Sequence, residues 1–248
     1  MILIVSGEGP TDIGTCTNAQ GRCSGTDFKP GPMGVLVDKI AEDELGYSLA
    51  DSSALEFVSE GERSRLVKQL PKTFVTGKRR DFETAHFFRE ARALAKLAMQ
   101  ATAEDESPRG VVLFRDADGT RSTERGLYET RLQSIQDGFV AEEFQYGVPM
   151  LPNPKSEAWL ICALQKHAYQ NCAALEESLS GNDNAPEPAK KQLEALLTER
   201  GKSEADLAEL VGEGVVDALR TEMKEMPSFS DFDQRLREVL RAMQRQQP

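Results

Sequence analysis

No apolar run in this chain approaches the roughly 20 residues that a membrane-spanning helix requires. A soluble globular chain is therefore expected. The opening run MILIV has no basic flank before it and no small-residue cleavage site soon after it, so it does not read as a signal peptide. A cytoplasmic location is the default expectation. Cysteine is sparse. Cys16, Cys23, Cys162 and Cys172 are too few and too scattered for a disulfide framework, and reduced structural cysteines are expected. Histidine is scarcer still: His86 and His167 both fall in segments with helical spacing, which leaves little for a zinc site. Positive charge is also in deficit. The formal net charge is −11, and such a chain repels phosphate backbones unless a local basic stripe, a divalent metal or a partner intervenes.

One local stripe is present. Arg63, Arg65, Lys68, Lys72, Lys78, Arg79 and Arg80 follow one another with only Glu62 beside them. They read either as a solvated helix face and loop or as a nucleic-acid contact, with Lys78, Arg79 and Arg80 the candidate residues.

The remaining pattern alternates strand and helix. The runs ILIV at 2–5 and VVLF at 111–114 are continuously apolar, as in parallel strands covered on both faces. Shorter strands are expected at ALEFVS and at the end of FVAEEFQYGVPML. Helical spacing marks MGVLVDKIAEDEL, ERSRLVKQL, residues 82–99, STERGLYETRLQSIQDG and NPKSEAWLICALQKHA, the last with Asn153 as cap and Pro154 in its first turn. Residues 1–168 thus predict an α/β domain with a mainly parallel sheet flanked by helices. Residues 169–248 predict a helical C-terminal region, and the turn-rich stretch after Gly7 is long enough to be functional.

Two segments share a grammar. LIVSGEGPTD is an apolar strand followed by Glu8 and Asp12; VVLFRDADGT is an apolar strand followed by Asp116 and Asp118. Strand C-termini in a parallel sheet gather along the ligand-binding edge, so both acidic clusters meet there if the strands are neighbours. Crowded carboxylates raise one another's pKa values unless a counter-charge intervenes, and Mg2+ or Mn2+ is the natural one. A third segment, PNPKSEAW, brings Lys155 and Glu157 to the same edge at a helix start; Lys155 is placed to stabilise charge on a phosphate. Trp159, the single tryptophan, is expected in the core or packed over the site rather than in the chemistry.

VSGEGPTD, FRDADG and NPKSEAW in this order resemble the TOPRIM domain shared by topoisomerases, primases and the overcoming-lysogenisation-defect (OLD) nucleases. Glu8, Gly9 and Asp12 match the E-G-x-x-E/D form of the OLD-type branch, Asp116 and Asp118 its DxD, and Glu157 its later carboxylate. The resemblance extends to small bacterial TOPRIM-like proteins, some linked to phage defence. It implies a TOPRIM-like fold with an insertion within about 13–105, and an Mg2+- or Mn2+-dependent nuclease acting on DNA or RNA. It implies Glu8 as metal ligand or general base, Asp116 and Asp118 as metal ligands, Asp12 and Glu157 as ligands of a second metal, and Lys155 with Arg115 as counter-charges to the phosphate. No G-x-x-x-x-G-K-[ST] motif is present, so any ATPase would be a separate partner; homo-oligomers are compatible with the sequence. Two rivals stay open. DADGT also fits a haloacid-dehalogenase-type phosphohydrolase with Asp116 as nucleophile, Asp118 as acid/base, Lys155 as the later lysine and Asp183 as the final acid. Alternatively the acids merely cap helices in an inactive TOPRIM-like interaction module.

Overall fold

The computed structural model describes residues 1–9, 11–71, 84–117, 127–182, 184–217 and 219–246. In chain order the elements are β1 (Ile2–Ser6), β2 (Gly14–Cys16), β3 (Arg22–Ser24), β4 (Phe28–Pro30), α1 (Pro32–Leu45), β5 (Leu55–Val58), α2 (Glu60–Gln69), α3 (Ala85–Asp105), β6 (Arg109–Phe114), α4 (Leu127–Val140), β7 (Gly147–Met150), α5 (Ser156–Leu164), α6 (Cys172–Ser178), α7 (Ala189–Glu199), α8 (Leu207–Gly212), α9 (Thr221–Lys224) and α10 (Pro227–Gln244). Local chemistry sets several boundaries. Pro32 and Pro227 occupy the first turns of α1 and α10, where a missing N–H costs nothing. Gly46 ends α1 in the left-handed region at φ 82°. The Ser59 hydroxyl caps α2 by accepting from the Glu62 N–H.

Five strands form one sheet in the order β3-β5-β1-β6-β7, parallel throughout except for β3 at the edge, which runs antiparallel to β5. β2 and β4 make a separate antiparallel ribbon. The apolar strands are buried on both faces with a period of two. Ile4, Val111 and Leu113 face α3 and α4, in a core with Phe87, Leu94, Ile135 and Phe139. Leu3, Val5, Val112 and Phe114 face the other way, in a core that takes in α1, α5 and α10. The C-terminal helix packs on β6, β7 and α1, so its strong amphipathicity is satisfied by the sheet. Among the described residues no helix is long and apolar enough to cross a membrane.

The connections place the ligand crevice. The link from β1 to β5 runs through α1 on one face. The link that returns across the sheet to β6 runs through α2 and α3, and the one from β6 to β7 through α4; α3 and α4 lie on the opposite face. Loops leaving β1 and β6 therefore diverge to opposite faces, which opens a crevice at the carboxyl ends of these neighbouring strands.

Four sequence expectations need correction. All four cysteines are paired, Cys16 with Cys23 and Cys162 with Cys172; spacing along the chain did not reveal Cα atoms 5.8 and 5.1 Å apart. The last strand-following helix starts at Ser156 with Lys155 at its cap position, not at Pro154 with Asn153 as cap. His167 lies in a turn beyond that helix. The basic stripe does not form one surface: Arg63 is completely buried, and Arg65 is paired with Glu62. Lys72, Lys78, Arg79, Arg80, Asp118 and Asp183 lie outside the described residues, as does Ser122, which the sequence offers as the cap of the helix that follows it.

Candidate active site

The register of β1 against β6 pairs Ser6 with Leu113, so the chain leaves both strands side by side. The Glu8 carboxylate then reaches across and accepts the Asp116 backbone N–H through Oε1 at 2.9 Å. Its Oε2 lies 3.2 Å from an Arg115 guanidinium nitrogen. Glu8 thus ties the two loops together over the 108 residues that separate them in sequence.

The third segment closes the arrangement from below. The first backbone N–H of α5, on Ser156, donates to Asp116 Oδ1 at 3.0 Å, and the Ser156 hydroxyl donates to Asp12 Oδ1 at 3.0 Å. Ser156 therefore stands between two carboxylates from different loops. An unpaired N–H at a helix N-terminus favours anions, which explains why Asp116 and Glu157 settle there. The segment that carries Asp12 is seated by close backbone packing. A Cβ on Gly31 would lie 2.4 Å from the Asp12 carbonyl oxygen and 2.7 Å from that of Thr11.

Electrostatics mark Asp116. Burial pushes its carboxyl well above the ordinary aspartate range, and the neighbouring charges of Glu157, Asp12 and Glu8 push in the same direction. Burial also raises Asp12; the Ser156 hydroxyl opposes that shift and Glu8 adds to it. Four of the carboxylates singled out in the sequence are thus electrostatically coupled. Lys190, from α7, is the cation that eases Asp12.

On the other side of Glu8 lies a support of arginines. Arg63 donates to the Ser6 hydroxyl at 2.9 Å and the Gly7 carbonyl at 2.7 Å, and its Nε lies 3.3 Å from Glu90. Arg115 bridges Glu8 and Glu90, with its guanidinium 5.3 Å from the Phe87 ring centre. Arg115 is thus engaged by carboxylates. Lys155 occupies the cap position of α5, beside Ser156.

The donor set is composed of hard oxygen ligands, and its mutual repulsion calls for a counter-cation, so by chemistry it fits Mg2+ or Mn2+. Among the described residues no three His, Cys, Asp or Glu side chains converge closely enough to hold a metal; hydrogen bonds from Ser156, Arg115 and the Asp116 N–H lie between the carboxylates instead. Sequence reasoning missed Ser156, Arg63 and Glu90. Ser156 lies within the PNPKSEAW segment, but a serine in a first helical turn signals only a cap. A buried arginine looks like a surface one until the fold is known. Comparison of the chain with models of known families, with characterised proteins and with solved structures finds no match.

Proposed function

We propose that the chain is a TOPRIM-like, metal-dependent hydrolase of phosphodiester bonds in DNA or RNA. The observation that supports this reading best is the Asp116 carboxyl, buried at the crevice of a parallel sheet and pressed by Glu157, Asp12 and Glu8 together. A module in which acids merely cap helices would need one acceptor at the start of α5. It would not need four coupled carboxylates brought in by three segments.

In this reading Asp12, Asp116 and Glu157, with Asp118 and Glu8, would hold Mg2+ or Mn2+ once the hydrogen bonds that now lie between them give way; the ion would supply an activated water and neutralise phosphate charge. Glu8 orients the β6 loop through the Asp116 N–H and is the candidate base for the attacking water. Arg115, held by Glu8 and Glu90, keeps a positive charge beside the reacting phosphate. Lys155 adds a second at the start of α5. Phage defence, and control by a separate ATPase, belong to the same resemblance and are proposed with it.

The test is incubation of wild type and Asp116→Ala with single-stranded DNA, plasmid and structured RNA in Mg2+ or Mn2+. Wild type should cleave at least one substrate and the variant should lose at least 100-fold in rate, on the order expected for loss of a principal metal or charge-stabilising group. Equal activity in both proteins would remove this reading; none in either with metal present would remove autonomous cleavage and leave only the partner-controlled form.

A further inference from the structure

Beside the carboxylates lies a cavity of about 420 Å3. We propose that it seats a single nucleotide next to the scissile bond, so that the protein acts on strand ends; this rests on the phosphodiesterase reading above. Its volume falls in the range of about 300–1,000 Å3 typical of small-molecule sites and cannot admit a duplex. One wall is the reacting edge itself, with Asp12, Ser156 and Glu157. The floor is apolar, with Leu160, Leu193 and Leu207. The mouth carries two exposed lysines, Lys29 from the β4 strand and Lys190 from the start of α7. Lys190 lies 3.2 Å from Glu204 at the rim, with both side chains about half exposed. Lys29 makes no ion pair with a described residue. The lining thus offers an apolar surface for a sugar and base, Lys29 as the cation for a phosphate with Lys190, held by Glu204, beside it, and carboxylates where the reacting phosphate would lie.

The C-terminal helices build the far wall. α7 packs on α5 and α8 packs on α1, and both helices contribute residues to the lining. The net charge of −11 points the same way: a long polyanion gains little from this surface, because backbone tracking relies on many basic contacts. A terminal nucleotide needs only Lys29 and the neighbouring Lys190, once its phosphate displaces Glu204. Water supplies the balance of the reaction. Its oxygen forms the new bond to phosphorus and gives up a proton as the P–O bond to the rest of the strand breaks; the departing strand oxygen takes up a proton, which leaves a nucleoside monophosphate and a strand shorter by one that ends in a hydroxyl.

Two measurements test the assignment. The first is calorimetric titration of the full-length protein with thymidine 5′-monophosphate in Mg2+. Wild type should bind, and Ala208→Trp, which fills the cavity, and Lys29→Ala should each weaken binding at least tenfold with melting temperatures near wild type. Should the tryptophan variant fail to fold, the exposed Lys29 substitution carries the test alone. The second measurement compares end-labelled linear single strands with covalently closed circles of the same sequence. Linear strands should shorten from an end while circles persist. Binding unchanged by Lys29→Ala, or circles cut as fast as linear strands, would overturn the proposal. If circles and linear strands are cut alike and Asp116→Ala abolishes both, the phosphodiesterase reading survives and only the cavity's role falls. If cavity-dependent binding persists without any cleavage, the reverse holds.

Discussion

Arg63 lies wholly out of solvent beneath the loop that carries Glu8, and its guanidinium holds the end of β1 through Ser6 and Gly7. Its charge is balanced by Glu90, which also serves Arg115. Burial lowers its pKa and Glu90 opposes the shift. Removal of one partner from a buried pair leaves the other uncompensated, at a cost of roughly 3–5 kcal/mol. Arg63→Ala should therefore lower the unfolding free energy by about that amount in urea titrations. Arg63→Lys should recover only part of it, because an ammonium cannot serve the Ser6 hydroxyl, the Gly7 carbonyl and Glu90 with the same planar geometry. A change below about 1 kcal/mol in the alanine variant would show that the network is not holding the loop. Gly31 makes a parallel case. Its would-be Cβ meets backbone oxygens of Thr11 and Asp12, which cannot rotate away as a side-chain tip can. Gly31→Ala should cost roughly 1–3 kcal/mol and, on the proposed hydrolase reading, should lower any cleavage beyond the loss of folded protein, because the displaced segment carries Asp12.

Three helices meet at Glu176, and their junction is pH-sensitive. The Glu176 carboxylate on α6 accepts the backbone N–H and the hydroxyl of Ser228 in the first turn of α10, at 3.1 and 2.7 Å. The Trp159 indole on α5 donates to the same hydroxyl at 2.9 Å. Burial pushes the Glu176 carboxyl up to about 7 despite these donors. A folded-state pKa above the unfolded one means the proton binds the folded protein more tightly, so the stabilisation is complete below about pH 4.5 and fades as pH rises through 7. With allowance for partial solvent access the effect is roughly 2 kcal/mol. Glu176→Gln keeps an acceptor for Ser228 and cannot ionise, so its melting temperature should fall less than that of wild type between pH 5.5 and 8.5; parallel curves would exclude Glu176 as the titrating group. Elements of this kind also mark the limit of what the sequence discloses. β1 and β6 were legible because a strand covered on both faces must be continuously apolar, and the acids behind them were legible because turns stand out. That β1 and β6 are neighbours is a property of topology. That Ser156 joins Asp12 to Asp116 depends on a contact across 144 residues, and no local pattern encodes either fact.

At the scale of the whole molecule the two disulfides set a condition on the environment. Cys16–Cys23 bridges β2, which begins two residues after Asp12, to the sheet edge at β3; Cys162–Cys172 joins the last turn of α5 to α6. Both close short loops, so the chain-entropy contribution is roughly 2–3 kcal/mol each. A reducing cytosol would keep such thiols apart, so the paired state and a cytoplasmic location pull in opposite directions. The two bridges also stand at different depths. Both cysteines of the second pair are fully buried, whereas Cys16 is partly exposed, so reductant reaches the first bridge before the second. Thiol counting settles which state the protein adopts. Protein purified without reductant and opened in guanidinium should give no reaction with a disulfide-exchange dye, and about four thiols per chain after prior reduction. Mild reduction of the folded protein should free two thiols first, and complete reduction should lower the melting temperature by at least about 5 °C, given some 2–4 °C per kcal/mol in a chain of this size. Four reactive thiols in the untreated protein would show that neither bridge forms and that the Asp12 segment is held without one.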